Sequence, residues 1–407
     1  MSASTGLWIV RLRAERCARG WDERAAVAEL GRLLPKGTGR GLNEDAWRAW
    51  ENGRRPPAGV RPALARLFGT VTTGLFARAA PPRTGLSPSE RRRVASLVRA
   101  GRAGEALEGL TVVVDHLCGD YPTRSPAELS GEARWWTVVL RAADLPSLPR
   151  HVSAALRALD GWLTLLRSSV EYDQGHVRRA RELRRAGLEI AARSGDRRMT
   201  AWGHEMGAWF ALTQGRHDDA LAEASAAQKA GSSTPVFSQA SGLAARTWAR
   251  LGDPERADEC LKAAREVLES LSEAVDPDHQ FSVDPGRFEF QLMDCERVLG
   301  RTALARIHAE QLIRLGTLAD GTERTPLRNA EARIAVATAY LRDGEPEVAA
   351  EIGLRALASE RRSLPSLAMV AEELAREFRT RYPGDPGARE FREAAQVLRR
   401  QVDAAGP

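Results

Sequence analysis

Lysine is almost missing. Of 60 basic residues only Lys36, Lys229 and Lys262 are lysines, and the rest are arginine. Cysteine is equally sparse, at positions 17, 118, 260 and 295, with no C-x-x-C pair. Four scattered thiols cannot form a disulfide framework and lack the spacing of a zinc site, so a reducing compartment, the cytoplasm, is expected. No run of 18 apolar residues is present, which argues against a membrane-spanning helix. The opening MSASTGLWIVRLRAERC has no uninterrupted apolar stretch of the kind a secretory signal needs.

Chemistry-bearing motifs are missing too. GTGRG at 37–41 follows no strand and lacks the Lys-Ser/Thr ending of a phosphate loop. His204-Glu205 has no second histidine four residues after the first. His116 and Cys118 are two apart and would point to different sides of a helix. The other histidines (151, 176, 217, 279, 308) have no cluster of acids that suggests a general-base site. No catalytic residue, metal site or cofactor is therefore expected, and the chain does not read as an enzyme.

What is present is charge asymmetry and helix. Hydrophobic residues make up 43% and charged residues 28% of the 407, the balance of a folded protein. Residues 1–83 hold 15 basic against 7 acidic residues, while the remainder is slightly acidic, so the positive excess lies in a small N-terminal head. Such a head suits a polyanion, or is simply a solvated basic surface. Four helices are predicted in it: Gly6–Arg19, ended by Gly20; Glu23–Leu34, capped by Asp22 and stopped by Pro35; Asn43–Asn52, closed by Gly53; and Val60–Phe68. Leu75-Phe76 is expected to fold back on this bundle.

The string Trp50-Glu51-Asn52-Gly53-Arg54-Arg55-Pro56-Pro57, after ARGW at 18–21 and before Leu64, Leu67, Phe68 and Gly69, resembles the phage-repressor-like (XRE) helix-turn-helix family over about residues 6–76. That family's third helix enters the major groove by its N-terminal residues, while flanking arginines hold phosphates. The resemblance implies groove positions at Asn43, Glu44, Asp45 and Arg48, with Trp47 and Trp50 facing inward, Glu51 as a structural acid, and Arg54 and Arg55 near the backbone. Two departures stand out. The turn between the second and third helices is long, roughly Pro35 to Leu42, and offers Lys36 and Arg40 as further DNA contacts. The acidic pair Glu44-Asp45 can accept from cytosine, or merely stabilise the helix dipole by roughly 0.3–1 kcal/mol each.

From about Ser87 to Val402 apolar residues recur at three- and four-residue steps, alternation is rare, and helices alternate with Gly, Asp, Pro or Ser breaks. A pattern repeats: an apolar helix, a glycine, then a small residue a few positions later. It occurs at Gly101/Ala106, Gly215/Ala220, Gly252/Ala257, Gly300/Ala303 and Gly344/Ala349. The pattern resembles the tetratricopeptide (TPR) repeat, though the last four glycines lie 37, 48 and 44 apart, longer than that family's period. An all-α fold is expected: an N-terminal helix-turn-helix bundle followed by an α-solenoid of TPR-like helical hairpins. In such a stack the first helix of each pair lines the concave face, which places Gln239, Arg246, Asn329 and Arg333 as candidate contacts for a peptide or protein ligand. Trp202, Trp209 and Trp248 are assigned to the core.

The expected organisation is a DNA-binding domain over 1–78, a linker over 79–90 and the repeat domain over 91–403. The combination resembles actinobacterial transcriptional regulators. It implies operator DNA as a partner, a homodimer to match paired half-sites, and dimerisation or peptide or protein sensing by the repeats. The alternative is a protein–protein adaptor whose helix-turn-helix does not bind DNA.

Overall fold

In a computed structural model of the chain, residues 8–35, 37–39, 41–76, 86–232, 234–270, 279–318 and 320–405 are described. Every extended element among them is a helix, apart from one isolated bridge between Thr317 and Glu323.

The N-terminal bundle comprises α1 (Trp8–Ala18), α2 (Glu23–Leu33), α3 (Glu44–Glu51), α4 (Arg61–Leu67) and the short α5 (Thr72–Leu75). Side chains set the starts of α2 and α3: Asp22 accepts from Ala25 N at 2.7 Å and Asn43 from Ala46 N at 2.8 Å. Leu12, Ala26, Leu30, Trp47, Trp50, Leu64 and Phe68 form its core, and Leu75 and Phe76 fold back onto it. The connection between α2 and α3 runs from Leu34 to Asn43, longer even than the Pro35–Leu42 turn expected.

The rest is a stack of hairpins. Its helices are α6 (Pro88–Arg99), α7 (Ala103–Asp120), α8 (Pro126–Arg141), α9 (Arg150–Asp173), α10 (Val177–Ser194), α11 (Arg197–Thr213), α12 (His217–Ala230), α13 (Pro235–Arg250) and α14 (Pro254–Ser270). They continue as α15 (Pro285–Val298), α16 (Thr302–Leu315), α17 (Pro326–Arg342), α18 (Pro346–Leu357), α19 (Leu364–Arg381) and α20 (Pro386–Ala405). α6 starts inside the expected linker, because Ser87 and Glu90 cap it reciprocally: Glu90 accepts from Ser87 N at 2.7 Å and Ser87 Oγ from Glu90 N at 3.3 Å.

One device builds six hairpins. Gly101, Gly175, Gly215, Gly252, Gly300 and Gly344 have φ between 70° and 93°, a region that favours glycine. Each such turn returns two amides to the preceding helix; at Gly215, its own N–H reaches Leu212 O at 3.0 Å and Arg216 N reaches Ala211 O at 2.9 Å. Five residues after each glycine stands a buried alanine: Ala106, Ala180, Ala220, Ala257, Ala305 and Ala349. With only a methyl group there, the second helix can approach the first closely. The Gly175 hairpin adds to the pattern read from sequence. In the Gly300 hairpin the packing alanine is Ala305, because Ala303 is exposed.

First helices α9, α11, α13, α15, α17 and α19 form the inner layer and are buried over much of their circumference. The stack also closes on itself: α19 packs against α9 and α11. Arg361, just before α19, donates to Asp173 of α9 and to Tyr121 O at 2.9 and 2.8 Å. Trp209 of α11 donates to Ser366 of α19 at 2.9 Å.

Candidate nucleic-acid interface and inner cavity

The head is organised around one acid. Glu51, buried at the end of α3, accepts from Trp47 Nε1 at 2.8 Å and from Arg16 Nε and Nη2 at 2.7 and 3.0 Å. Burial works against its charge, but the bonds from Arg16 and Trp47 prevail and hold the carboxyl below its usual range. With Trp47 and Trp50 turned inward, the opposite side of α3 is left to solvent. Asn43 is committed to its cap. Glu44, Asp45 and Arg48 are exposed, and Arg48 pairs with both acids, at 3.6 Å to Glu44 and 3.0 Å to Asp45. Arg54 and Arg55 are exposed just past the helix. Lys36 and Arg40 lie outside the described residues.

A buried ionic latch fixes the head to the stack. Arg11 of α1 is fully buried and grips Glu289 of α15 with two parallel bonds, Nη1 to Oε1 at 2.9 Å and Nη2 to Oε2 at 3.0 Å. Its Nε donates to Glu15 at 3.1 Å. His308 of α16 bonds Glu289 Oε2 at 2.8 Å, and the Thr70 hydroxyl donates to Oε1. Burial opposes the charge of Glu289, yet Arg11 and His308 hold its carboxyl far below the usual range. Next to the latch Val71 joins the apolar core formed by Ala245, Leu261, Phe288 and Leu292 of α13, α14 and α15. The head therefore docks through α1 and the 70–75 segment and leaves the exposed side of α3 uncovered.

Inside the ring of first helices is a cavity of about 120 Å³. Its walls include Glu205 and Trp209 of α11, Gln239 and Arg246 of α13, Arg287, Phe290 and Gln291 of α15, and Glu331 of α17. Arg246 also belongs to an ion network beside the cavity. Asp294 of α15 pairs with Arg246, Arg250 and Arg297, and Glu373 of α19 pairs with Arg250 and Arg297. The cavity walls are less settled than that network. Glu205 accepts only from Gln239 Nε2, at 3.0 Å, and burial raises its pKa. Glu331 reaches Arg246 only at 3.9 Å, and burial raises its carboxyl to about 7. Arg287 donates to the backbone and side-chain oxygens of Gln280, at 2.8 and 3.1 Å, neither of them a carboxylate. Gln239 Oε1, Gln291 Oε1 and Arg246 Nη2 have no hydrogen-bond partner.

Of the four residues assigned to the concave face, Gln239 and Arg246 line this cavity. The other two do not. Asn329 and Arg333 share a helix face, as their spacing requires, but that face meets the segment before α17. Asn329 is fully buried and donates to Gly316 O at 3.2 Å and Glu323 at 3.1 Å, and Arg333 pairs with the same Glu323. Both hold a loop in place. Trp202 is core as expected, but Trp209 is only partly buried and lines the cavity. Glu205, Arg287, Gln291 and Glu331 were missed in sequence. Their one signal is a charged or amide residue inside an otherwise apolar first helix, which is also what a latch residue such as Glu289 looks like.

The arrangement is that of an all-helical protein in which a small basic bundle is clamped onto a stack of hairpins that line a cavity with both charged and apolar walls. No family model matches the chain, and no curated protein matches it.

Proposed function

We propose that this protein is a transcriptional regulator that binds operator DNA through α3 of its N-terminal bundle and senses a ligand through the TPR-like stack. The observation that carries the reading is the way the head is docked. α1 and the 70–75 segment are consumed by the stack, while the N-terminal turn of α3 and the Arg54-Arg55 pair are left open. A third helix offered by its first turn, with arginines beside it, suits a major groove flanked by phosphates. The excess positive charge of the first 83 residues supports the same partner. A homodimer would present two such helices to paired half-sites, and the scattered free thiols fit a cytoplasmic protein.

α15 supports a link between the two halves. Arg287, Phe290 and Gln291 face the cavity, and Glu289 on the same helix holds the head. A ligand that prefers one position of α15 would thereby bias the head, and only to the extent of that preference.

The test is selection of genomic fragments by the purified protein at about 50 and 200 mM salt, followed by sequencing. A regulator neutralising roughly 5–8 phosphates yields an enriched motif and loses orders of magnitude in affinity at the higher salt. Arg54→Ala should weaken specific and non-specific binding alike, whereas Arg48→Ala should weaken specific binding more. The second reading, a protein–protein adaptor, is favoured by one observation. Arg48 is already paired with Glu44 and Asp45, which leaves that turn of α3 net acidic. Recovery of no DNA above background at either salt concentration would select it.

A further inference from the structure

We propose that the cavity enclosed by α11, α13, α15, α17 and α19 binds a small zwitterion, a free α-amino acid, with its ammonium at Glu331 and the Gln239 and Gln291 carbonyls and its carboxylate at Arg287. The inference deepens the sensing half of the function above, on which it rests, and is independent of the DNA half.

Three observations carry it. The first is the set of polar groups left unmet. Gln239 is 8% exposed and Gln291 2%, yet the amide oxygen of each has no partner. Buried polar atoms are rarely left so, and such an atom in a cavity wall offers an acceptor to a bound donor. The second is that both signs of charge are under-paired in one enclosure. Glu205 accepts from the Gln239 amide with the charge of Arg287 nearby, and Glu331 has Arg246 at 3.9 Å. The Arg287 guanidinium donates to Gln280, lies over the Trp202 ring at 5.8 Å and feels the charges of Asp284 and Glu205 without closing an ion pair with either. Glu331 and Arg287 close no ion pair with each other, so a molecule bearing one charge of each sign would satisfy both. A lone amine would leave Arg287 unmet, and a lone carboxylate would leave Glu331 unmet. The third is size. A cavity of roughly 150 Å³ holds benzene with its six carbons, so the 120 Å³ here suits a ligand of similar or slightly smaller heavy-atom count. The smaller amino acids have that size; a peptide does not, beyond its terminal residue. The partly buried Trp209 adds an aromatic wall of the kind that favours an ammonium.

The same ammonium–carboxylate chemistry could come from a free amino acid or from the end of a peptide, and the experiment separates them. The full-length protein is heated with each of the twenty common amino acids, and compounds that raise its melting temperature are titrated by calorimetry. Each is then repeated as its N-acetyl form, its carboxamide and the matching dipeptides. The expected result is a concentration-dependent upward shift by one or a few small amino acids that both blocked forms lose. Glu331→Gln and Arg287→Gln should each weaken that binding roughly ten- to a hundredfold. Binding by amines or carboxylates alone would overturn the zwitterion assignment. Binding of dipeptides but not of free amino acids would assign the cavity to a peptide end and overturn the free-ligand proposal. No shift with any of the twenty overturns it as well, and so does binding that both variants retain. Should the variants fail to fold, the blocked-ligand series on the parent protein decides alone. None of these readouts involves DNA, so a protein that binds no operator can still pass, and a DNA reader can still fail.

Discussion

Replacing Arg11 with methionine tests whether the head is held by charge or merely rests on an apolar seat. Methionine keeps much of the stem volume and removes the guanidinium. Glu289 would then be left with His308 and Thr70 as partners in a site where its side chain has no contact with solvent. Removing one partner of a buried ion pair typically costs 3–5 kcal/mol, because the other charge stays buried and unmatched. At about 1.4 kcal/mol per decade, the docked state should lose between two and nearly four powers of ten in its equilibrium against an undocked one. Amide hydrogen exchange reads this directly. Amides of α1 and α5 should exchange roughly a hundred- to a thousandfold faster or more in Arg11→Met, while those of α13 and α17 stay as they were. The double variant Arg11→Met, Glu289→Leu should recover much of the loss, since an apolar pair can replace a buried ionic one at little cost. Unchanged exchange in α1 and α5 of the single variant would refute the reasoning: the latch would then contribute nothing beyond the apolar seat of Val71. The latch also has a signature in pH. A carboxyl depressed in the folded state contributes stability that is complete above its unfolded pKa near 4.5 and fades as pH falls toward the folded value. Docking should thus weaken below about pH 4.5, and Glu289→Gln should lack that slope.

Two further outcomes follow from the cavity. An added Cβ at Gly242 would lie 2.4 Å from Gln291 Cγ, so Gly242→Ala must push Gln291 aside; a cost of about 1–3 kcal/mol is expected in chemical denaturation, and an unchanged midpoint would show that α13 and α15 can separate freely. Glu331 has the opposite sign to Glu289. A carboxyl raised to about 7 in the folded state contributes stability below its unfolded pKa and loses it as pH rises through the folded one. Relative to the parent, Glu331→Gln should therefore gain stability between about pH 4.5 and 7.5, by on the order of 3 kcal/mol at the upper end, read from denaturation midpoints across that range. A parallel pair of pH profiles would mean that Glu331 is paired better than its 3.9 Å approach to Arg246 implies.

Local signals were legible wherever the chemistry is local. A glycine needed for a left-handed turn, the alanine five residues later, Asp22 and Asn43 as caps, and Trp47 and Trp50 with Glu51 all act within a few residues of themselves, and the sequence displays them in order. The Gly175 hairpin carries the same signal, and its Ala180 packs like the others. The cavity was half legible. Gln239 and Arg246 could be assigned to the inner layer because they stand on a first helix. Asn329 and Arg333 stand on one too, yet a loop covers their face.

The sequence by itself determined the helices, their hairpin turns, the basic head and the lack of any motif for catalysis or metal binding. These follow from periodicity, caps and composition, which need no distant partner. Only the tertiary structure decided that Arg11 meets Glu289 across 278 positions, that α19 returns to α9, and which charged residues of the inner layer are paired and which are not. An arginine in an apolar helix looks the same whether its carboxylate is on the next helix, in another domain or missing. Its pairing is a property of where the chain closes, and closure is set by the summed small rotations of all the hairpins between.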